Sequence, residues 1–146
     1  MAESVISCFE RYEKKYRITK AQQRLIIEKM KPYMQADKFG KYTICNIYYD
    51  TRDWQLIRSS IEKPVYKEKL RVRSYGTPNA DGKVFVEVKK KYDGVVYKRR
   101  ITMPARQTGQ FLSGNSAAGY GQIGREIGWF SSFYGAEPKV FIAYDR

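Results

Sequence analysis

Histidine is absent from this 146-residue sequence, and cysteine is scarce. Without histidine, a Ser-His-Asp triad, a histidine-ligated zinc ion and a histidine general base are all excluded. The two cysteines, Cys8 and Cys45, lie far apart and form no CxxC pair, so neither a zinc ribbon nor a disulfide scaffold is expected. Isolated cysteines of this kind are typical of small buried residues in a reducing compartment.

Long apolar runs are also missing. No segment approaches the roughly 20 apolar residues of a membrane span, and residues 1–10 lack the basic and apolar regions of a signal peptide. Hydrophobic residues nevertheless make up 42% of the chain and aromatic residues 15%, which is enough for one modest core. We therefore expect one cytoplasmic domain over residues 1–146, with no membrane segment.

Positive charge is in large excess. The chain has 28 lysines and arginines against 15 acidic residues, a net charge of +13. The segment from Lys63 to Arg100 is especially rich in cations. A field of this kind attracts an anionic partner, which leaves nucleic acid, an acidic membrane surface and a polyanionic small molecule as candidates.

Strand patterns dominate the chain. Strands are predicted at 9–18, 43–50, 66–75, 83–91, 95–103 and 139–144. Helices are predicted from a capping box at Thr19 to Pro32, over 52–61 and over 122–134, with Trp54 and Trp129 as helix residues on the exterior. The last strand pattern stops at Arg146 without turn chemistry, and this pattern favours a fragment of a longer domain.

Basic side chains recur at every second position of several predicted strands. In the strand at 66–75 they share one face of the sheet: Lys67, Lys69, Arg71 and Arg73. Side by side, such faces form a basic wall, which needs a bound anion or carboxylates such as Glu13 and Glu87 to neutralise it. The opposite faces are apolar enough to pack under helices, which would turn the basic faces into a tunnel. The alternative is a solvated outer sheet face.

Five segments, taken in order, carry a family resemblance. They are FERYEKKY at 9–16, NIYYD at 46–50, LRVRSYG at 70–76, VFVEVK at 84–89 and KRR at 98–100. Together they resemble the vacuolar transporter chaperone (VTC) domain, the polyphosphate polymerase branch of the triphosphate tunnel enzymes. The resemblance implies an α+β fold: an antiparallel β-barrel with the triphosphate tunnel fold, incomplete at the C-terminus, with helices packed on the outside.

The same resemblance implies a set of site residues. It places catalytic roles at Lys15, Arg71 and Arg73, and it places phosphate binding at these three and at Lys89, Lys98, Arg100 and Arg146. It implies Mn²⁺ or Mg²⁺, with Glu13 and Glu87 as weak metal ligands because the family's main metal-binding Glu would lie in the missing strands. Related triphosphatases carry ExExK in the first strand, whereas Arg11-x-Glu13-x-Lys15 keeps a single acid, which weakens a hydrolase interpretation.

The implied function is transfer of the terminal phosphoryl group of ATP to polyphosphate, with ATP, polyphosphate or pyrophosphate as partners. Lysine and arginine suit this chemistry, because phosphoryl transfer needs positioning and charge neutralisation more than a proton-transfer base. The first alternative is a non-catalytic module that binds polyphosphate or another polyanion. Because the family's last strands are missing, weak or absent catalysis is expected from this chain alone, unless a second copy completes the barrel. The second alternative is a sheet-based nucleic-acid binder, although no specific nucleic acid is expected.

Overall fold

Six strands and four α-helices form the structure, a computed structural model that describes residues 8–11, 14–35, 40–114 and 118–146. The strands are β1 (Cys8–Arg11), β2 (Thr43–Asp50), β3 (Tyr66–Tyr75), β4 (Lys83–Tyr92), β5 (Val95–Pro104) and β6 (Glu137–Asp145). The helices are α1 (Lys20–Met30), α2 (Gln55–Ile61), α3 (Thr108–Leu112) and α4 (Gly121–Tyr134), with two short 3₁₀ turns at Ala105–Gln107 and Ala118–Tyr120.

One antiparallel sheet contains all six strands, in the order β1-β5-β4-β3-β2-β6. Strands β3, β4 and β5 form the expected meander, joined by turns at Asp81-Gly82 and Asp93-Gly94. Within the described residues the sheet is open, with β1 and β6 as its edges. This α+β architecture, an antiparallel sheet that stays open within the described residues and has helices on its outside, confirms the predicted fold class.

The hydrophobic core lies on one side of the sheet, here called the covered face. Alternate residues of β3 and β4 contribute Leu70, Val72, Val84, Val86 and Val88 to it. Helices α2, α3 and α4 cover these side chains with Leu56, Phe111, Leu112, Ile127 and Phe130. Because side chains alternate along a strand, the residues between these core positions must point to the opposite side, here called the basic face.

The predicted start of α1 and most strand bounds are confirmed. Thr19 caps α1 through the expected capping box, in which its hydroxyl accepts from the Gln22 backbone N–H and the Gln22 side chain accepts from the Thr19 N–H. Trp54, by contrast, lies before α2 as its N-cap residue and not inside the helix. The reason is that the Asp50 carboxylate accepts from the N–H groups of Leu56 and Ile57, which fixes the helix start after Trp54.

The prediction of one continuous strand over 9–18 is wrong. Strand β1 ends at Arg11, and residues 14–19 lie outside any helix or strand. Arg11 pairs with Val96 and β5 begins at Val95, so β5 has almost no residues left to pair with a longer β1. Lys15 therefore reaches the sheet from an irregular segment and not by strand alternation.

Helix α1 is peripheral. None of its residues, all of which are described, is buried, and its apolar side chains Leu25 and Ile27 are more than half exposed.

No helix in the described parts of the chain has both the length and the apolar character that crossing a membrane requires.

Candidate functional site: a basic sheet face with a buried carboxylate

The basic face is assembled by strand register. Arg71 lies opposite Glu87 on the neighbouring strand, and Glu87 in turn lies opposite Arg100 on β5. Two residues further along each strand, and so on the same face, Lys69 lies opposite Lys89, which lies opposite Lys98. The alternation read from the sequence therefore places cations from three adjacent strands on a common surface.

Glu87 lies at one end of the basic face, here called the Glu87 end, and is surrounded there by cations. Its side chain is fully buried, and its carboxylate contacts Arg71 Nη2 at 2.8 Å and Lys98 Nζ at 2.6 Å, with Arg73 Nε at 4.0 Å. Arg71 Nε also donates to Glu87 Oε2 at 2.8 Å. One carboxylate thus holds three cations, as expected from its prediction as a counter-carboxylate.

The protonation of this cluster follows from its burial and charge. Burial acts to raise the pKa of Glu87, but the charges of Arg71, Lys98 and Arg73 outweigh it and hold the pKa below its ordinary value. The pKa of Lys98 is also lowered, mainly by burial and further by Arg100 and Arg73, although Glu87 opposes the shift. The Glu87 carboxylate is therefore negatively charged at neutral pH, and the cations that surround it carry a larger total positive charge.

The two arginines on β3 are also held by neutral groups. Arg71 Nη1 donates to the Tyr48 hydroxyl at 3.1 Å, and Arg73 Nε donates to the Asn46 side-chain oxygen at 3.0 Å. Tyr144 on β6 accepts from Arg73 Nη2 at 3.3 Å. These contacts fix the direction of both guanidinium groups before any ligand binds, which is the preorganisation that electrostatic catalysis and anion binding need.

The other end of the basic face forms a cavity of about 230 Å³, here called the lysine pocket. Its cationic lining comes from β3, β4 and the segment before α1: Lys15, Lys67, Lys69, Arg71, Lys89 and Lys91. Tyr48 and Ser60 complete the lining, and no carboxylate belongs to it among the described residues. A concave surface with this lining is suited to a polyanion.

The seven predicted phosphate-binding residues fall into three groups. Lys15, Arg71 and Lys89 line the lysine pocket, whereas Arg73 and Lys98 surround Glu87 and Arg100 stacks over the Phe85 ring at 4.9 Å. The third group is Arg146 alone, which is exposed just beyond β6, where its backbone pairs with Tyr42. Six of the seven predicted phosphate-binding residues therefore lie on or beside the basic face, and their roles stay a prediction.

The described residues are a poor match for a resident divalent ion. Such an ion prefers several oxygen ligands, but the Glu87 carboxylate is fully buried and engaged by cations. Glu13, the other predicted ligand, lies outside the described residues, and the described part of the chain contains no cluster of three metal-ligating side chains. The expected Mn²⁺ or Mg²⁺ stays a prediction.

Several residues that line the lysine pocket were not predicted as site residues from the sequence. Lys67, Lys69 and Lys91 line the lysine pocket together with Tyr48. The alternation of β3 already contained the signal for Lys67 and Lys69. Tyr48 could have been found in the same way, because Ile44, Asn46 and Tyr48 alternate along β2.

Comparisons with known proteins agree with this architecture. A family model described as the VTC domain matches residues 10–146. Among solved structures, the chain is similar to a candidate adenylate cyclase from Bacillus halodurans, with 13% identity and a TM-score of 0.56. The match covers 95% of this chain and 63% of that one, and at this identity it shows the fold alone. Comparison with curated proteins found no match.

Proposed function

The chain belongs to the VTC domain family, and we propose that its basic face binds the phosphate chain of ATP, polyphosphate or pyrophosphate. The observation that carries this proposal is the lysine pocket, in which five lysines and Arg71 converge on about 230 Å³. Each lysine supplies a mobile point charge. Arg71, which Glu87 and Tyr48 hold in place, adds a positive charge in a fixed position.

A binding titration tests this proposal. Tripolyphosphate should bind tightly at low salt and more weakly as salt rises, because screening reduces the attraction between charges at the surface. Competition with single-stranded RNA separates the nucleic-acid alternative: tripolyphosphate should displace RNA far more efficiently than RNA displaces tripolyphosphate. If RNA is the stronger competitor at equal charge, the face is a nucleic-acid surface and the proposal is wrong.

The finer proposal is phosphoryl transfer. The bond between the γ-phosphorus of ATP and the β–γ bridging oxygen breaks, and a terminal oxygen of polyphosphate forms the new bond to that phosphorus, so that ADP leaves with the bonding electrons. Arg71 and Arg73 are proposed to neutralise the charge on the equatorial oxygens, since little proton transfer is required. A divalent ion, if bound, would add further positive charge, but the described residues include no cluster of three metal-ligating side chains that would hold it.

An activity assay tests this finer proposal. The chain is incubated with ATP and Mn²⁺ or Mg²⁺, and long-chain polyphosphate is sought. Activity that disappears in Arg71→Ala and Arg73→Ala would support the assignment, and activity retained in both variants would contradict it. Binding without turnover would instead support the non-catalytic alternative.

One observation favours the non-catalytic alternative for this chain. Within the described residues the sheet is open between β1 and β6, so the basic face is a wall and not an enclosed tunnel. Exclusion of water from the reacting groups favours phosphoryl transfer, and an open face excludes water poorly. A second copy paired at these edges is one way to enclose it, and sedimentation with and without tripolyphosphate would reveal such an assembly.

A further inference from the structure

A second cavity adjoins the lysine pocket and differs from it in chemistry. This cavity, here called the Trp54 pocket, has a volume of about 390 Å³ and is lined mainly by apolar groups, which include Trp54, Leu56, Ile57 and Val140. Tyr48 and Lys69 line both this pocket and the lysine pocket. Because they share these two residues, the two cavities are neighbours, one of them mainly apolar with Asp50 and Lys139 in its lining and the other cationic.

Trp54 is held in place by the turn before α2. Its backbone has a φ of 66°, in the left-handed region that bulky residues rarely adopt. The Trp54 N–H donates to the Thr51 carbonyl oxygen at 3.1 Å, and the Thr51 hydroxyl accepts from the Gln55 N–H at 2.8 Å. Strained residues that neighbouring contacts hold in this way are concentrated at ligand sites.

The Trp54 ring also has a charged neighbour. Lys139 Nζ lies 5.3 Å from the ring centroid, and the same nitrogen donates to the Arg52 carbonyl oxygen at 3.1 Å. The Trp54 residue remains 41% exposed, so part of its surface is open to a ligand. An aromatic ring in a fixed position beside a polyanion site is suited to stacking against a heterocycle.

We propose that the Trp54 pocket binds the nucleoside end of a nucleoside triphosphate whose phosphate chain occupies the lysine pocket. This inference rests on the proposed phosphate binding and adds to it a site for the base. A ligand that fills both cavities must join a flat apolar group to a chain of negative charge, and a nucleotide has this composition. Free polyphosphate would occupy the lysine pocket and leave the Trp54 pocket unfilled.

Tryptophan fluorescence tests the inference directly, because the chain has only two tryptophans. Trp129 lies on α4, is 63% exposed and stacks on Phe133, so Trp129→Phe is a mild change that leaves Trp54 as the single reporter. Addition of ATP should change the fluorescence emission of Trp54 until the site is saturated. Tripolyphosphate should bind, as calorimetry would show, without a comparable change in Trp54 emission. The matched control is Trp54→Phe, in which Trp129 should not respond to either ligand.

Binding constants provide the second measurement. Trp54→Ala should weaken ATP binding about tenfold and leave tripolyphosphate binding unchanged, since stacking is lost and the cations remain. Lys69→Ala should weaken both ligands, whereas Lys90→Ala, which removes the same charge from the covered face, should affect neither. Tripolyphosphate binding with no Trp54 response to ATP would overturn this inference and leave the proposed function standing. Failure of both ligands to bind would overturn the proposed function itself.

Discussion

The two ends of the basic face compensate the same positive charge in different ways. Around Glu87, a buried carboxylate pairs with Arg71 and Lys98 at 2.6 to 2.8 Å and offsets part of their positive charge. In the lysine pocket, Lys69 faces Lys89 and Lys67 faces Lys91 across β3 and β4, and no described carboxylate lines the cavity. Like charges directly opposite each other in a sheet are destabilising. The comparison indicates that a buried carboxylate fixes the cations at the Glu87 end, whereas the lysine pocket gathers its cations around a cavity that a polyanion could occupy.

The largest expected effect is at the Glu87 end. Glu87→Gln removes the buried negative charge and leaves Arg71, Arg73 and Lys98 uncompensated, so we expect a loss of about 3–5 kcal/mol in the free energy of unfolding. Urea unfolding measures it. The control is Glu126→Gln, which breaks a partly exposed ion pair with Arg99 and should cost about 0–1 kcal/mol. Equal losses in the two variants would show that Glu87 has no special structural role.

Acid should weaken the same end. The pKa of Glu87 lies below its ordinary value, so the unfolded carboxyl takes up a proton before the folded one does. The free energy of unfolding should therefore be fully supported above pH 4.5, the ordinary value, and should fall as the pH drops below it. A pH series of urea unfolding should show a shallower acid slope in Glu87→Gln than in the unchanged protein. Identical slopes would assign the acid sensitivity to other carboxylates.

The smallest expected effects are changes of opposite sign in the free energy of unfolding, caused by replacing one lysine on β3 and one on β4. Lys69→Gln relieves the repulsion from Lys89 and should raise the free energy of unfolding by about 0.5 kcal/mol in the absence of phosphate. Lys90→Gln removes the cation opposite Glu68 on the covered face and should lower the free energy by a similar amount. Thermal unfolding of both variants checks the sign, and a loss of stability in Lys69→Gln would contradict the expected repulsion between Lys69 and Lys89.

Strand alternation accounts for what the sequence predicted well. The period of two in β3, β4 and β5 separates Lys69 and Arg71 from Leu70 and Val72, and the structure places these pairs on opposite faces. The period is reliable here because one face must be buried, which fixes the register of every strand. The family resemblance and the local pattern therefore lead to the same fold class.

The errors arise where tertiary pairing overrides local pattern. Residues 14–18 have strand-like composition, but β5 begins too late along the chain to pair with them. Trp54 has the spacing of a helix residue, yet the Asp50 carboxylate fixes the start of α2 after it. Such contacts join residues whose proximity no short window of sequence contains, so the Trp54 pocket could not be predicted from periodicity.

The central claim is that the lysine pocket binds a chain of phosphates, and a matched pair of variants tests it most directly. Lys89 and Lys90 are adjacent on β4 but point to opposite faces, so Lys89→Ala and Lys90→Ala change the net charge equally. Calorimetric titration with tripolyphosphate should show affinity about tenfold weaker in Lys89→Ala and unchanged in Lys90→Ala. Equal weakening in both variants would mean that tripolyphosphate responds only to overall charge, and this result would contradict the claim.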